Sequence, residues 1–376
     1  MRGLWTLIIA ALLVFPALQA ETQNRNSAGI QLVTIADSLD HPWSVAFLPD
    51  DSYLVTERPG RLLRISENGT KTEITGLPKI YNHGQGGLLD IALGPEFNNK
   101  GGWIYFSYAA PANNNPDIAN TEVARARYDL ATNQLSDLEV IFKAEPKMHG
   151  DNHFGSRLLF TPDGYLYVTL GERYDYKEEA QNTENHLGTI VRILPDGTVP
   201  ADNPFINKGK ARPEIYSYGN RNVQGIAQHP ESGEIWFHEH GPRGGDEINV
   251  LKSGANYGWP EVTYGISYMG MEISDKTSAP GMEDPILQWT PSIAPSGMVF
   301  YTGDEFPSWQ GDMLIGALAG EHLHRVSIDN GQIEQEILLE DFGKRIRDVA
   351  QSPDGELYIL TDESDGKLIR LTAKPM

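Results

Sequence analysis

Five short polar segments carry the residues of this chain best equipped for chemistry. His153, in "GDNHFGSR" (150–157), has the side chain best suited to take up a proton near neutral pH. Glu172, in "TLGE", closes the hairpin that His153 opens. If those two ends meet, the carboxylate orients the imidazole and supports its protonated form. The plainer alternative is a surface histidine with local hydrogen bonds. "YGNRNVQG" (218–225) packs Arg221, Asn222 and Gln224 into four positions, and an arginine there can polarise a carbonyl or clamp a carboxylate through two bonds. "HGQGGLLD" (83–90) sets Gln85 among three glycines, which allow close approach of a ligand or simply make a tight turn.

Two further segments suggest ions. In "GKRIRDV" (343–349), Arg345 and Arg347 alternate and so share one strand face. Two like charges placed that way are unfavourable unless something anionic lies between them, or unless the face is solvated. "HEHGPRGGDEINVLKSGANYGWP" (238–260) is the most distinctive stretch. Its Gly241-Pro242 pair leaves carbonyl oxygens outside any sheet ladder, and such oxygens suit a hard cation, with Asp246 and Glu247 close by. A zinc site built from His238 and His240 is the weaker reading, because alternate strand residues face opposite sides unless the chain bends.

These segments need elements to bring them together, and the chain repeats itself. Six stretches, beginning at Trp43, Leu88, Ser156, Gln224, Ser296 and Arg347, share two alternating apolar runs around a Pro-, Asp- or Gly-containing turn. Alternation on both sides of a turn predicts an antiparallel hairpin. A hairpin buries only one face, so six copies imply stacked sheets. The expected fold is all-β: a six-bladed β-propeller of four-stranded antiparallel blades. The fifth copy has an expanded turn, and uneven spacing of Pro49, Pro95, Pro162, Pro230 and Pro353 points to insertions between blades. In such a ring, inner strands converge at one mouth of the central channel, and the polar segments recur near the same point of their repeats.

Composition narrows the partners. Residues 1–20 read as a cleavable signal peptide: Arg2, an apolar run from Leu4 to Leu18, and a cleavage site before Glu21. The run is short for a membrane span. A periplasmic or secreted protein follows as the expectation, with residues 21–376 as one propeller domain and no membrane insertion. The net charge of −21, or −22 once Arg2 is removed, argues against nucleic acid as a partner. With no cysteine, disulfides, thiolate metal sites and cysteine nucleophiles are excluded.

Taken in order, "HGQGGLLD", "NHFG..R", "YGNRNVQG", "EHGPRGGDEIN", "NYGWP" and "KRIRDV...PDG.LY.LTDES" closely resemble the soluble quinoprotein aldose sugar dehydrogenases, relatives of soluble glucose dehydrogenase. The resemblance runs from about Leu39 to Leu371. It implies a six-bladed propeller that oxidises aldoses to lactones with pyrroloquinoline quinone (PQQ) and Ca2+. By that resemblance, His153 is the base for the anomeric hydroxyl, Glu172 its acidic partner, and Arg221 the group that polarises the quinone carbonyl. Gln85, Asn222, Gln224, Arg345 and Arg347 hold the quinone. Gly241 and Pro242 bind calcium through backbone oxygens, and Glu247 with the carbonyl of Tyr257 match a second calcium.

Two positions depart from the glucose enzymes: Ala319 stands where those have a lysine, and Asn152 replaces an aspartate. Both changes favour a roomy sugar site, unless the insertion from Tyr264 to Pro285 folds over the mouth. The expected partners are an aldose and an external electron acceptor, with the chain a monomer or homodimer. Two rival readings are a calcium-dependent propeller lactonase or hydrolase and a non-catalytic binding propeller. The first would need carboxylate-rich coordination without paired arginines, and the second would lack His153 or Arg221.

Overall fold

Each of the six alternating segments forms the first two strands of a separate four-stranded sheet in the computed structural model, which describes residues 22–24, 29–329 and 331–374. The signal-peptide expectation for residues 1–20 lies outside the described residues. Blade I comprises Pro42–Phe47, Tyr53–Glu57, Arg61–Ile65 and Lys71–Ile74. Blade II is built from Leu88–Leu93, Gly101–Pro111, Ala119–Asp129 and Gln134–Lys143. Blade III has short strands, Leu158–Phe160, Leu166–Thr169, Ile190–Ile193 and Ile215–Ser217. Blade IV contains Val223–Gln228, Ile235–Glu239, Asp246–Val250 and Leu287–Trp289.

Blade V runs Pro295–Phe300, Met313–Ala317, Leu323–Asp329 and Gln332–Leu338, with Thr22–Asn24 added in parallel at its outer edge. Its expanded turn is filled by Phe306 and Trp309, stacked with ring centroids 4.1 Å apart. Blade VI closes the ring. Its Ile346–Gln351, Leu357–Thr361 and Gly366–Ala373 come from the end of the chain, and its outer strand, Ile30–Leu39, from the beginning. Pairing the two ends in one sheet leaves no open edge between the last blade and the first. The chain is therefore a six-bladed β-propeller, as the repeats predict.

The core sits between blades, because both faces of each sheet are covered. In blade I, Leu54 and Leu62 pack toward Leu88, Ile104 and Phe106 of blade II. The intervening Val55 and Leu63 point the other way, toward Tyr358 and Leu360 of blade VI. Equivalent clusters fill the other interfaces, for example Tyr105, Val123, Val168 and Val191 between blades II and III. Period-two alternation thus assigns side chains to one neighbour or the other rather than to core or solvent.

Where the first strands crowd the axis, the packing turns polar. Arg157 of blade III spans the channel, donating from Nη1 to Asp348 Oδ1 of blade VI (2.7 Å), from Nε to Gln224 O of blade IV (2.9 Å) and from Nη2 to Arg347 O (3.1 Å). Asp90 of blade II lies 3.5 Å from the same guanidinium and accepts from Ser44 Oγ of blade I at 2.6 Å. Five blades are tied through one buried cation.

Candidate active site

In an antiparallel hairpin the start of the first strand lies beside the end of the second. Both therefore emerge at the same face of the ring, and the site is built from those two places. A cavity of about 240 Å³ opens there, lined by residues that include Gln85, Gln224, Arg345 and Arg347. Four of the sequence-predicted residues are thus on its wall. Trp43, Arg58, His240, Tyr268, Leu318 and Asp362 join them without having been singled out for it. Arg58, His240, Leu318 and Asp362 each directly follow the second strand of their blade. Glu172 holds nearly the same register in blade III. Aligning the repeats by strand end is the signal that would have found them.

His153 and Glu172 meet as their hairpin geometry requires. His153 Nδ1 lies 2.7 Å from Glu172 Oε2, with both side chains buried. The backbone N–H of Tyr174 donates to the same carboxylate oxygen at 2.6 Å. Burial works to raise the Glu172 carboxyl, but His153, Arg221 and the Tyr174 amide outweigh it and hold the group below its usual range. A carboxylate accepts, so Nδ1 carries the proton and Nε2 is left with its lone pair. Burial, with Arg221 in support, depresses the His153 pKa below the usual 6.5 despite Glu172. The ring is neutral at neutral pH.

The amides predicted to grip a ligand also shape the base. Gln85 Oε1 accepts from His153 N at 2.8 Å, and Asn222 Oδ1 accepts from Gly155 N at 3.0 Å. Gln224 Nε2 donates to Gly155 O at 3.0 Å. His153 sits in the left-handed region at φ 53°, so these bonds hold a turn that its own backbone disfavours. Asn152 turns its amide to Asp151 Oδ1 at 3.1 Å.

Arg221, Asn222, His153 and Glu172 lie just behind the cavity wall rather than on it. Arg221 Nη1 donates to Gly241 O (2.6 Å) and His240 O (3.1 Å), while its buried Nε has no partner. The Gly241 oxygen is therefore engaged by an arginine, where the sequence alone left it outside any ladder. His240 commits its Nε2 to Pro295 O, donating at 2.6 Å, and burial keeps its pKa well below 6.5.

The two alternating arginines find part of their anion within the protein. Arg345 Nη2 and Arg347 Nη2 reach Asp362 Oδ2 at 3.1 and 2.8 Å. Burial favours the neutral acid at Asp362, yet Arg347, Arg345 and Arg58 hold it far below the carboxylate range. Three guanidinium groups share one carboxylate, and Arg347 Nε is buried without a partner. The cavity wall carries surplus positive charge and an unfilled donor, which fits an anionic ligand.

Glu247 and Tyr257 lie away from the cavity. Glu247 pairs across strands with Glu239; Glu239 is buried and Glu247 half-buried. Burial, reinforced by Asp246 and Asp284, pushes Glu247 up to about 8 against the pull of Asn249. Burial and the charge of Glu247 likewise raise Glu239. No basic side chain forms an ion pair with Glu247 among the described residues, which is an environment that favours a bound cation. Also among the described residues, no three acidic or histidine side chains form a metal cluster by themselves. Backbone oxygens such as those of Gly241, Pro242 and Tyr257 would have to complete any coordination shell. Ala319 is exposed beside Leu318, on the loop whose Leu318 O accepts from Arg345 Nη1 at 3.0 Å.

The site is thus a buried histidine–carboxylate pair beside an arginine-lined cavity at one mouth of a β-propeller, an arrangement fit to move a proton next to a bound anion. Comparison with known proteins supplies the class. The family model described as Glucose / Sorbosone dehydrogenase matches residues 39–370. The chain is 42% identical to the aldose sugar dehydrogenase YliI of Escherichia coli, covering 92% of this chain and 94% of that protein. The crystal structure of the soluble E. coli aldose sugar dehydrogenase in the apo-form superposes with a TM-score of 0.88 at 40% identity, over 92% of this chain and all of that one. The PQQ-bound form of the aldose sugar dehydrogenase from Streptomyces coelicolor gives 0.76 at 29% identity, over 93% and 99%. The chain belongs to the glucose/sorbosone dehydrogenase family and is an oxidoreductase of it.

Proposed function

We propose that this chain oxidises aldoses at the anomeric carbon to lactones, using PQQ and calcium and passing electrons to an external acceptor. The observation that carries the reading is the neutral, buried His153, whose Nδ1 is tied to Glu172 beside a cavity walled by Arg58, Arg345 and Arg347. Bound in that cavity, PQQ would supply the two-electron acceptor that the protein's own side chains lack. Gln85, Asn222, Gln224, Arg345 and Arg347 would hold it. The unpartnered Nε of Arg347 belongs to a side chain on the cavity wall and is a donor such a ligand would satisfy. Pro242 would give its carbonyl oxygen to a calcium ion at the site, joined by that of Gly241 if Arg221 turns from it to the ligand, and Glu247 with the Tyr257 carbonyl would serve a second.

The chain's own residues account for the proton. Nε2 of His153 faces away from Glu172 and accepts the proton of the anomeric hydroxyl as the C1–H bond breaks. The Glu172 carboxylate stabilises the resulting imidazolium through the Nδ1–H bond. Gln85 keeps the turn that presents the ring, and Arg221 stabilises negative charge developing on the acceptor. The burial of both side chains strengthens the His153–Glu172 interaction.

No helix among the described residues is long and apolar enough to cross a membrane. The leader-like residues 1–20 would direct the activity to the periplasm or beyond. The test is reconstitution: apoprotein mixed with Ca2+ and PQQ, then assayed with an artificial dye against glucose, galactose, xylose, arabinose and maltose. Dye reduction that needs both additions and a sugar is the expected result. Sugar-independent or absent dye reduction in the reconstituted protein would overturn the reading.

A further inference from the structure

Five of the nine exposed large apolar side chains among the described residues are Tyr174 and four on one insertion, whose Tyr268 lines the cavity. Ile266, Tyr268, Met269 and Met271 belong to a short hairpin inside the insertion predicted from Tyr264 to Pro285, where Ile266 bridges to Glu272 and to Arg243. The fifth, Tyr174, follows Glu172 in blade III. Clustered exposed apolar groups beside a cavity mark a binding surface.

The geometry runs outward from the base. The Tyr174 ring meets the His153 imidazole edge-on with centroids 5.2 Å apart. Tyr268 lies beyond it, 6.2 Å from Tyr174 and nearly parallel at 26°, and it also lines the cavity. Arg221 sits 6.0 Å from the Tyr268 ring and supports it from below. Tyr268 remains 55% exposed and Tyr174 41%, so both rings keep open faces.

Tyr174 is held there against its backbone preference. Arg173 and Tyr174 adopt consecutive left-handed conformations, φ 68° and 67°, which side-chain-bearing residues disfavour. The completely buried Arg173 guanidinium locks the turn by donating to Asn152 O (2.9 Å), Gly150 O (2.6 Å) and Ala119 O, and it stacks 3.8 Å over Phe154. The Tyr174 amide is fixed by the same Glu172 oxygen that orients His153. One carboxylate thereby sets both the base and the first aromatic ring outside it.

We propose that Tyr174 and Tyr268 are specificity-determining residues that form an outer sugar subsite. They take the apolar C–H face of the ring next to the one whose anomeric carbon faces His153. The inference rests on the sugar-oxidising reading above and assigns the reach of that site. An aromatic face suits the C–H side of a pyranose, while the phenol hydroxyls and the sugar's own hydroxyls stay in water at the rim. The ring faces themselves, negative at their centres, repel the carboxylates of a charged ligand. A second neutral sugar ring can lay its C–H face on them.

The test compares Tyr268→Ala with Tyr268→Trp in the reconstituted holoenzyme, using glucose and maltose. Tyr268 projects from an exposed hairpin, so folding is expected to survive, and thermal unfolding checks it. The expected result is a roughly tenfold fall in the maltose-to-glucose ratio of kcat/KM for the alanine variant, carried by KM, with the tryptophan variant restoring the ratio. Saturation-transfer NMR on apoprotein with maltose gives a second readout: contacts to the non-reducing ring should vanish in Tyr268→Ala. A wild-type protein that oxidises glucose, combined with an unchanged ratio and unchanged transfer in the variant, would overturn the outer subsite alone. A wild-type protein that oxidises no sugar would instead overturn the reading beneath it.

Discussion

Nδ1 of His153 is bonded to Oε2 of Glu172 at 2.7 Å, leaving Nε2 as the free acceptor of a buried, neutral imidazole. His153→Gln should fold and still bind quinone, yet lose turnover by about a hundredfold or more, the scale of a lost general base. Near-wild-type rates in the folded variant would remove His153 from the role.

The pH profile follows from the same pair. Catalysis needs the neutral ring, so kcat/KM should rise with pH through the free-enzyme pKa and level off above it. Burial places that acid limb below the ordinary 6.5. Glu172 is the group that opposes the depression, so Glu172→Gln should shift the limb to still lower pH while reducing kcat by roughly tenfold or more. A limb that moves upward, or stays in place, contradicts this assignment.

Arg345 and Arg347 should govern cofactor affinity rather than the chemical step. Replacing either with methionine should weaken PQQ binding by about tenfold or more, as expected when a charge-assisted bond worth about 1.5–3 kcal/mol is lost. Quenching of tryptophan fluorescence reports it, since Trp43 lines the cavity. Unaltered affinity in both variants would free the arginines from that duty.

Calcium should stabilise the protein more strongly as pH rises. Without a cation, Glu247 holds its proton up to about pH 8 in the fold, against 4.5 in the unfolded chain. The folded state then binds more protons between those values, so rising pH removes stability across that window. A bound cation needs the ionised form and cancels the loss. Saturating Ca2+ should therefore raise Tm by roughly 5 °C at pH 8 and distinctly less at pH 5.5. Glu247→Gln should flatten the difference, and a Ca2+ effect that is equal at both pH values would disprove the coupling.

Arg157 should prove structural and irreplaceable by lysine. Its removal strands Asp348, already raised to about 6 chiefly by burial and by Asp90, and breaks ties to Gln224 and Arg347. Losing one partner of such a buried pair costs about 3–5 kcal/mol. Chemical denaturation of Arg157→Met should show that loss, and Arg157→Lys should recover little, because a point charge cannot serve three acceptors in a fork. Full recovery by lysine would show that charge alone matters.

Much of the molecule was readable from the chain alone. Six alternating segments determined six inner hairpins, because a period of two leaves a strand only two faces to fill. The nearness of His153 to Glu172 was also local information, since a hairpin brings its own ends together. The alternation of Arg345 and Arg347 announced a need for negative charge. What the sequence could not say was who meets it: Asp362 supplies a share from the far end of the same hairpin. Arg58, Trp43 and Tyr268 reach the cavity from other blades and from an insertion. Their neighbours there are set by ring closure, in which Ile30–Leu39 completes the last sheet. The Gly241 oxygen, outside any ladder by local rules, is claimed by Arg221 through a contact between segments twenty residues apart. Periodicity encodes which way a side chain points along its own strand. Only the closed tertiary structure decides which distant side chains share the space it points into, because burial, charge balance and hydrogen bonding at the channel mouth are sums over all the blades.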